Sequence, residues 1–173
     1  MWFKDISQFG NTSDYVSIFN GVLITDMIVI CLFFGGAIQS KVLKSWYKEL
    51  GLSAVIADVL IIFIGIILAR FLYPYMFKEY SLIQFIGLAV CIQVVHDILF
   101  YQLCVSVPRG RSQILDIFKD YGRENGYKAI ISDSAMIVSA ILIGSYLKGK
   151  SWNANIIISI VAIYIVPYLI YSV

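Results

Sequence analysis

The sequence predicts an all-α, polytopic membrane protein: a transmembrane helical bundle of about five spans with a short amphipathic helix lying along the membrane surface. Three observations carry that prediction. Of the 173 residues, 60% are hydrophobic. Only 14% are charged, against about 25% in an ordinary soluble domain, so there are too few polar side chains to coat a water-soluble globule. The apolar residues also come in runs of spanning length, joined by connections too short to fold alone, which makes residues 1–173 a single membrane domain.

A bilayer-crossing helix needs about 20 mainly apolar residues. The runs 18–38, 52–72, 82–107 and 156–173 meet that length. The stretch 129–147 is more polar, but Lys128 before it and Lys148 and Lys150 after it bracket it as a further span. No water reaches exposed backbone groups inside a bilayer, so helices are the spanning structure these lengths allow. Ahead of that stretch, Ile114, Leu115, Ile117, Phe118 and Tyr121 recur at helical spacing, with Asp116, Lys119, Asp120, Arg123 and Glu124 opposite. This predicts an interfacial helix over about 112–124. The opening stretch, with Trp2, Phe3, Ile6 and Phe9, suggests a second one. Small residues four apart, at Gly65 and Ala69, Gly87 and Cys91, and Ala140 and Gly144, give faces on which helices can approach closely. Pro167 is expected to kink the last span.

Positive residues are retained on the cytoplasmic side of a membrane. The connections holding Lys41, Lys44, Lys48, Arg109, Arg111, Lys119, Arg123 and Lys128 outweigh the opposite face, with Lys4, Arg70, Lys78, Lys148 and Lys150. An outside N-terminus and a cytoplasmic C-terminus are therefore expected, and Asn11-Thr12-Ser13, a glycosylation sequon, then faces outward. The polar residues among the first seventeen leave no room for the apolar core of a cleavable signal, so the first span is expected to direct insertion. Arg109 and Arg111 are candidates for contact with lipid headgroups, although topological anchoring is the ordinary role of such residues.

Cys31, Cys91 and Cys104 lie in apolar runs without a Cys-x-x-Cys pair and are read as packing residues. A net charge of +2 argues against a nucleic-acid partner. The expected partners are the lipid bilayer itself, further copies of this chain or other membrane proteins, and no cofactor or metal is implied.

The chemistry-bearing residues are acids within the apolar runs: Asp26, Asp58, Asp97 with its neighbour His96, and Asp133. An ionisable group at bilayer depth costs about 2.5–3.5 kcal/mol even on lenient scales, so such residues face the bundle interior. Read functionally, Asp26, Asp58, His96, Asp97 and Asp133 form an ion or proton site. Read structurally, each acid hydrogen-bonds a nearby Ser, Gln or Tyr and holds helices together. No repeat symmetry, broken helix or selectivity motif is read alongside them. Arg70, near a span end, is expected to snorkel to the surface. Enzyme readings are weak, because a lone His cannot assemble a zinc site and Ser53 with His96 is not supported as a protease pair.

Three segments, 49–61 (ELGLSAVIADVLI), 93–101 (QVVHDILFY) and 126–134 (GYKAIISDS), resemble an uncharacterised multi-pass membrane protein family of large double-stranded DNA viruses, over most of the chain. The resemblance implies a non-enzymatic viral protein in a host-derived or virion membrane, with a structural or membrane-organising role. The rival expectation, drawn from the acids, is a small proton- or cation-coupled channel or transporter.

Overall fold

The computed structural model describes residues 2–171. Its elements are seven helices: α1 (Asp14–Phe34), α2 (Lys41–Leu50), α3 (Leu52–Met76), α4 (Leu82–Ser106), α5 (Gln113–Asn125), α6 (Tyr127–Leu147) and α7 (Trp152–Tyr171). Helices α1, α3, α4, α6 and α7 are each long and apolar enough to cross a membrane. Much of their outward surface is apolar, as at Ile28, Leu60, Ile64, Leu99 and Ile160. The chain thus has the architecture of a multi-pass membrane protein.

The bounds move in informative ways. The first span begins and ends four residues earlier than 18–38, because Asp14, fully buried, starts the helix. The last begins at Trp152, and positions 172–173 of its expected range lie outside the described residues. Helix α7 runs on through Pro167, and α3 through Pro74. The interfacial helix expected at 112–124 is α5, at Gln113–Asn125.

The second interfacial helix is α2, and the opening stretch is not one. Residues 2–13 carry no helix. Their side chains compete for their own backbone, with Ser7 N–H and Oγ donating to Asp5 Oδ1 at 2.8 and 2.7 Å, and Ser13 Oγ donating to Asn11 Oδ1 at 2.6 Å. The segment instead folds over one end of the bundle, where Lys4 N–H donates to Ser145 O at 3.1 Å.

The chain is also internally duplicated, which corrects the expectation of no repeat symmetry. Helices α1–α2–α3 and α4–α5–α6 are two copies of one unit, span–interfacial helix–span, with α7 outside the repeat. Ser40 and Ser112 are both extended N-caps whose side chains accept from the amides of Leu43 and Leu115. Gly51 (φ 53°, ψ −126°) and Gly126 (φ 52°, ψ −130°) end the two interfacial helices in the same left-handed conformation that only glycine adopts readily. From there the spans align without a gap at a constant offset. Gly51, Ala54, Ile56, Asp58, Ile62, Ile66 and Leu72 recur as Gly126, Ala129, Ile131, Asp133, Ile137, Ile141 and Leu147.

The order of neighbours is the same in both repeats, with α1 seated more closely on α6 than α4 is on α3. Helix α1 packs on α3 and α6, as α4 packs on α6 and α3, while α2 against α5 and α3 against α6 meet on the pseudo-two-fold axis. The equivalent glutamates swap across that axis. Gln113 of α5 donates to Glu49 at 2.8 Å, and the amides of Lys41 and Val42, opening α2, donate to Glu124 at 3.1 and 3.3 Å. Each carboxylate thereby sits at the positive end of the other helix. Trp46 and Phe118, both six residues past their serine caps, meet with ring centroids 4.8 Å apart. Both repeats run in the same direction, so α2 and α5 form one lid on one face and residues 2–13 cover the other.

Candidate functional site

The duplication accounts for the intramembrane acids. Asp58 and Asp133 are equivalent, each seven residues past the left-handed glycine, or about 10 Å into the bundle at 1.5 Å per residue. Asp26 and Asp97 are equivalent on α1 and α4, fourteen residues before Ser40 and fifteen before Ser112. All four therefore lie at a similar depth beneath the lid, and the side chains meet electrostatically. Asp26 interacts with Asp58, and Asp133 with Asp97, Asp58 and His96.

Their partners are few. Asp26 is 0% exposed, and neither carboxyl oxygen has a hydrogen-bond partner among the described residues. Asp58 accepts from Trp46 Nε1 at 2.9 Å. Asp97 Oδ1 accepts from Gln93 Nε2 at 2.6 Å and lies 3.3 Å from His96 Nδ1, while its Oδ2 is buried without a partner. An aromatic chain ties the two halves together: His96 stacks on Phe100 at 5.6 Å, Phe100 meets Phe118 edge-on at 4.9 Å, and Phe118 packs on Trp46. The lid adds two phenols. Burial pushes the Tyr47 and Tyr121 hydroxyls above their usual range, and the nearby charges push the same way: Asp58 and Asp26 at Tyr47, and Asp133, Asp58 and Asp97 at Tyr121. Both stay neutral and able to donate.

All five expected site residues, Asp26, Asp58, His96, Asp97 and Asp133, thus share one locus. Among the described residues no group of three or more His, Cys, Asp or Glu is placed to hold a metal ion. A groove of about 580 Å³ between α1 and α7, lined by Ile24, Cys31, Ile157 and Ile165 among others, is apolar and contains none of the acids. Chemically, the locus brings together four carboxyls and an imidazole, groups able to bind protons.

The opposite end holds a polar cluster that sequence reasoning missed. Arg70 is 0% exposed and does not snorkel. Its Nη2 donates to the carbonyls of Gln8 and of Asn11 (2.9 Å), and lies 3.4 Å from Asp14 Oδ2. Lys148 Nζ reaches the same carboxylate oxygen at 2.7 Å. The guanidinium carbon stands 4.7 Å above the Tyr15 ring. Arg70 is buried because residues 2–13 close over it. Ser145, its equivalent in the second repeat, also bonds that segment, at Lys4 O. Asn11, the sequon residue, donates its side-chain amide to Asp14 at 3.1 Å.

On the lid, Arg109 spends both terminal nitrogens on Asp120, while Arg111 stays exposed. Lys119 is buried against Val107 O and Asp116, whose Oδ2 also accepts from the Gly110 amide at 2.7 Å. The Lys119 ammonium, ahead of the Gly110 amide, holds the Asp116 carboxyl below the usual carboxylate range of about 3.8, and Arg109 does the same for Asp120. Their stabilisation is therefore fully present above that value and lost as pH falls below it. Amide protection factors along α5, corrected for the intrinsic pH dependence of exchange, are expected to hold steady from neutral pH down to about 4 and to fall below. Loosening that begins near pH 6 would contradict these pairings.

No family model, no curated protein and no solved structure matches this chain.

Proposed function

We propose that this membrane protein carries protons, as a small proton-coupled transporter whose exchanging groups are Asp26, Asp58, His96, Asp97 and Asp133. The observation that supports this most is the origin of the acids. Two come from each repeat, on four different helices, and they meet near the pseudo-two-fold axis, with a fully buried Asp26 that nothing satisfies. Parallel repeats with their polar site at the repeat interface are a recurrent plan for transporters. A proton fits better than a metal cation, since the carboxyls are not drawn into a cage. The lid face holds the larger share of Lys and Arg, which supports a cytoplasmic lid and an outside N-terminus.

Proteoliposomes loaded with a pH-sensitive dye test the proposal. The wild type should dissipate an imposed pH gradient, and Asp58→Asn and Asp133→Asn should each slow that at least tenfold while remaining monodisperse. Well-folded protein with no flux above empty liposomes would remove the proposal. It would favour a second reading, a membrane-building component in which the acids only tie helices. One observation supports that reading: Trp46 and Gln93 each bind an acid directly. The resemblance to viral membrane proteins suggests a virion membrane as the setting, which proteomics of purified particles would check.

A further inference from the structure

The two repeats place equivalent acids in unequal surroundings. In the first repeat, Asp26 is fully buried and unpartnered, and its neighbour Asp58, partly buried, accepts from the Trp46 indole. In the second, Asp97 is held by Gln93 and flanked by His96, whose side chain is 35% exposed. Asp133 is likewise only partly buried. Beside Asp26, α2 contributes Tyr47 and α3 contributes Asp58; beyond Asp58 lie Tyr121 and Glu124 of α5, His96 and Asp97 of α4, and Asp133 of α6. Helix α7, also packed on α1, carries no Asp, Glu, His, Lys or Arg. Among the described residues no cation acts on Asp26, and His96 acts on Asp133.

An isolated carboxylate in such a place is far more costly than the neutral acid. We infer that the repeats form two unlike proton sites: Asp26 with Asp58 holds an occluded proton, and His96, Asp97 and Asp133 are the half that exchanges with water. Protons bound for Asp26 then pass through the second repeat. His96 loses an N–H proton to Asp97, Asp97 passes an O–H proton to Asp133, Asp133 to Asp58, and Asp58 to Asp26. Each hand-off breaks one N–H or O–H bond and forms one O–H bond, and negative charge moves the opposite way. No carboxyl–carboxyl hydrogen bond spans the cluster among the described residues, so each transfer needs a rotamer change or a water, which makes exchange slow. The inference deepens the transport proposal but reads protonation, not flux. A silent flux assay with the spectra below intact would remove transport and leave the two proton sites standing.

Infrared spectroscopy of the full chain in lipid bilayers, transferred from H2O to D2O at neutral pH, tests it. The expected spectrum has a protonated-carboxyl band that shifts slowly and is lost in Asp26→Asn. In the His96→Gln/Asp97→Asn double variant that band should persist and exchange at least tenfold more slowly. Should Asp26→Asn fail to assemble, Asp26→Glu, which moves the band instead of deleting it, makes the same assignment. The absence of any such Asp26 band at neutral pH would overturn the inference. So would an unchanged exchange rate in the double variant.

Discussion

Replacing Gly21 by valine is expected to prevent the bundle from assembling. Helix α1 crosses α6 more closely than any other helix pair meets, and the contact is backbone on backbone. A Cβ on Gly21 would run into the carbonyl oxygen of Ala140 and lie 2.6 Å from the amide nitrogen of Gly144. Neither atom can move without unwinding α6. A Cβ on Gly144 would in turn come within 3.1 Å of Ile18 Cα. Overpacking a core costs about 1–3 kcal/mol when side chains can yield, so a clash with backbone should reach or exceed about 3 kcal/mol. Gly87→Val is the matched control, because a Cβ there meets nothing within 4 Å. Size-exclusion profiles and retained helical signal in detergent would check the pair: Gly21→Val aggregates, Gly87→Val does not. Equal tolerance at both sites would show that α1 and α6 are not seated as described.

The second large effect is expected at the opposite end. Arg70→Met should destabilise the protein by about 3 kcal/mol, at the lower end for breaking a buried ion pair. Lys148 remains on Asp14 Oδ2 and shares the loss. The carbonyls of Gln8 and Asn11 would also lose their donor, so residues 2–13 should release from the bundle and become open to protease. Adding Asp14→Asn to Arg70→Met should cost less than Asp14→Asn alone, because the Arg70 pair is already gone and only the Lys148 contact remains to be lost. Denaturation of the single and double variants measures that coupling, and strictly additive losses would mean that Arg70 and Asp14 do not interact.

The length of the apolar runs made the five spans legible, and the 3.6-residue periodicity made α5 legible. Helix α2 was hidden by brevity. Its ten residues place Val42, Leu43, Trp46, Tyr47 and Leu50 inward among three lysines and a glutamate, which reads as an ordinary charged loop. Residues 2–13 misled in the other direction, since aromatic spacing suggested a helix that Asp5, Ser7, Asn11 and Ser13 undo by bonding locally. The acids were visible singly as charges in oil. Their pairing was not, because the interfacial helices differ by three residues, from Ser40 to Gly51 against Ser112 to Gly126, and that insertion breaks the register of the duplication. Arg70 was misplaced because nothing in its own span indicates that a distant segment closes over it. Of the small-residue pairs, Ala140 and Gly144 form the tight seam. Gly87 has open space around it, and whether a neighbour fills such a notch is not written in the notch itself.

The unit of the site is the repeat. Trp46 stands five residues before its glycine and donates to Asp58 seven after it, while Tyr121, five before Gly126, lies near Asp133 seven after it. Any tilt of α2 or α5 is felt at Asp58 or Asp133. The Glu49 and Glu124 crossings join the two lids, so the repeats cannot move independently while those bonds hold.

Solid-state magnetic resonance on the membrane-embedded protein, with isotope-labelled aspartate, measures carboxyl-to-carboxyl proximity inside the bundle. Through-space correlations should link Asp26 with Asp58, and Asp133 with both Asp97 and Asp58, each vanishing with the matching Asp→Asn variant. Aspartate signals that correlate only with lipid chains, or not with one another at all, would contradict the convergence of the two repeats on a single acid site.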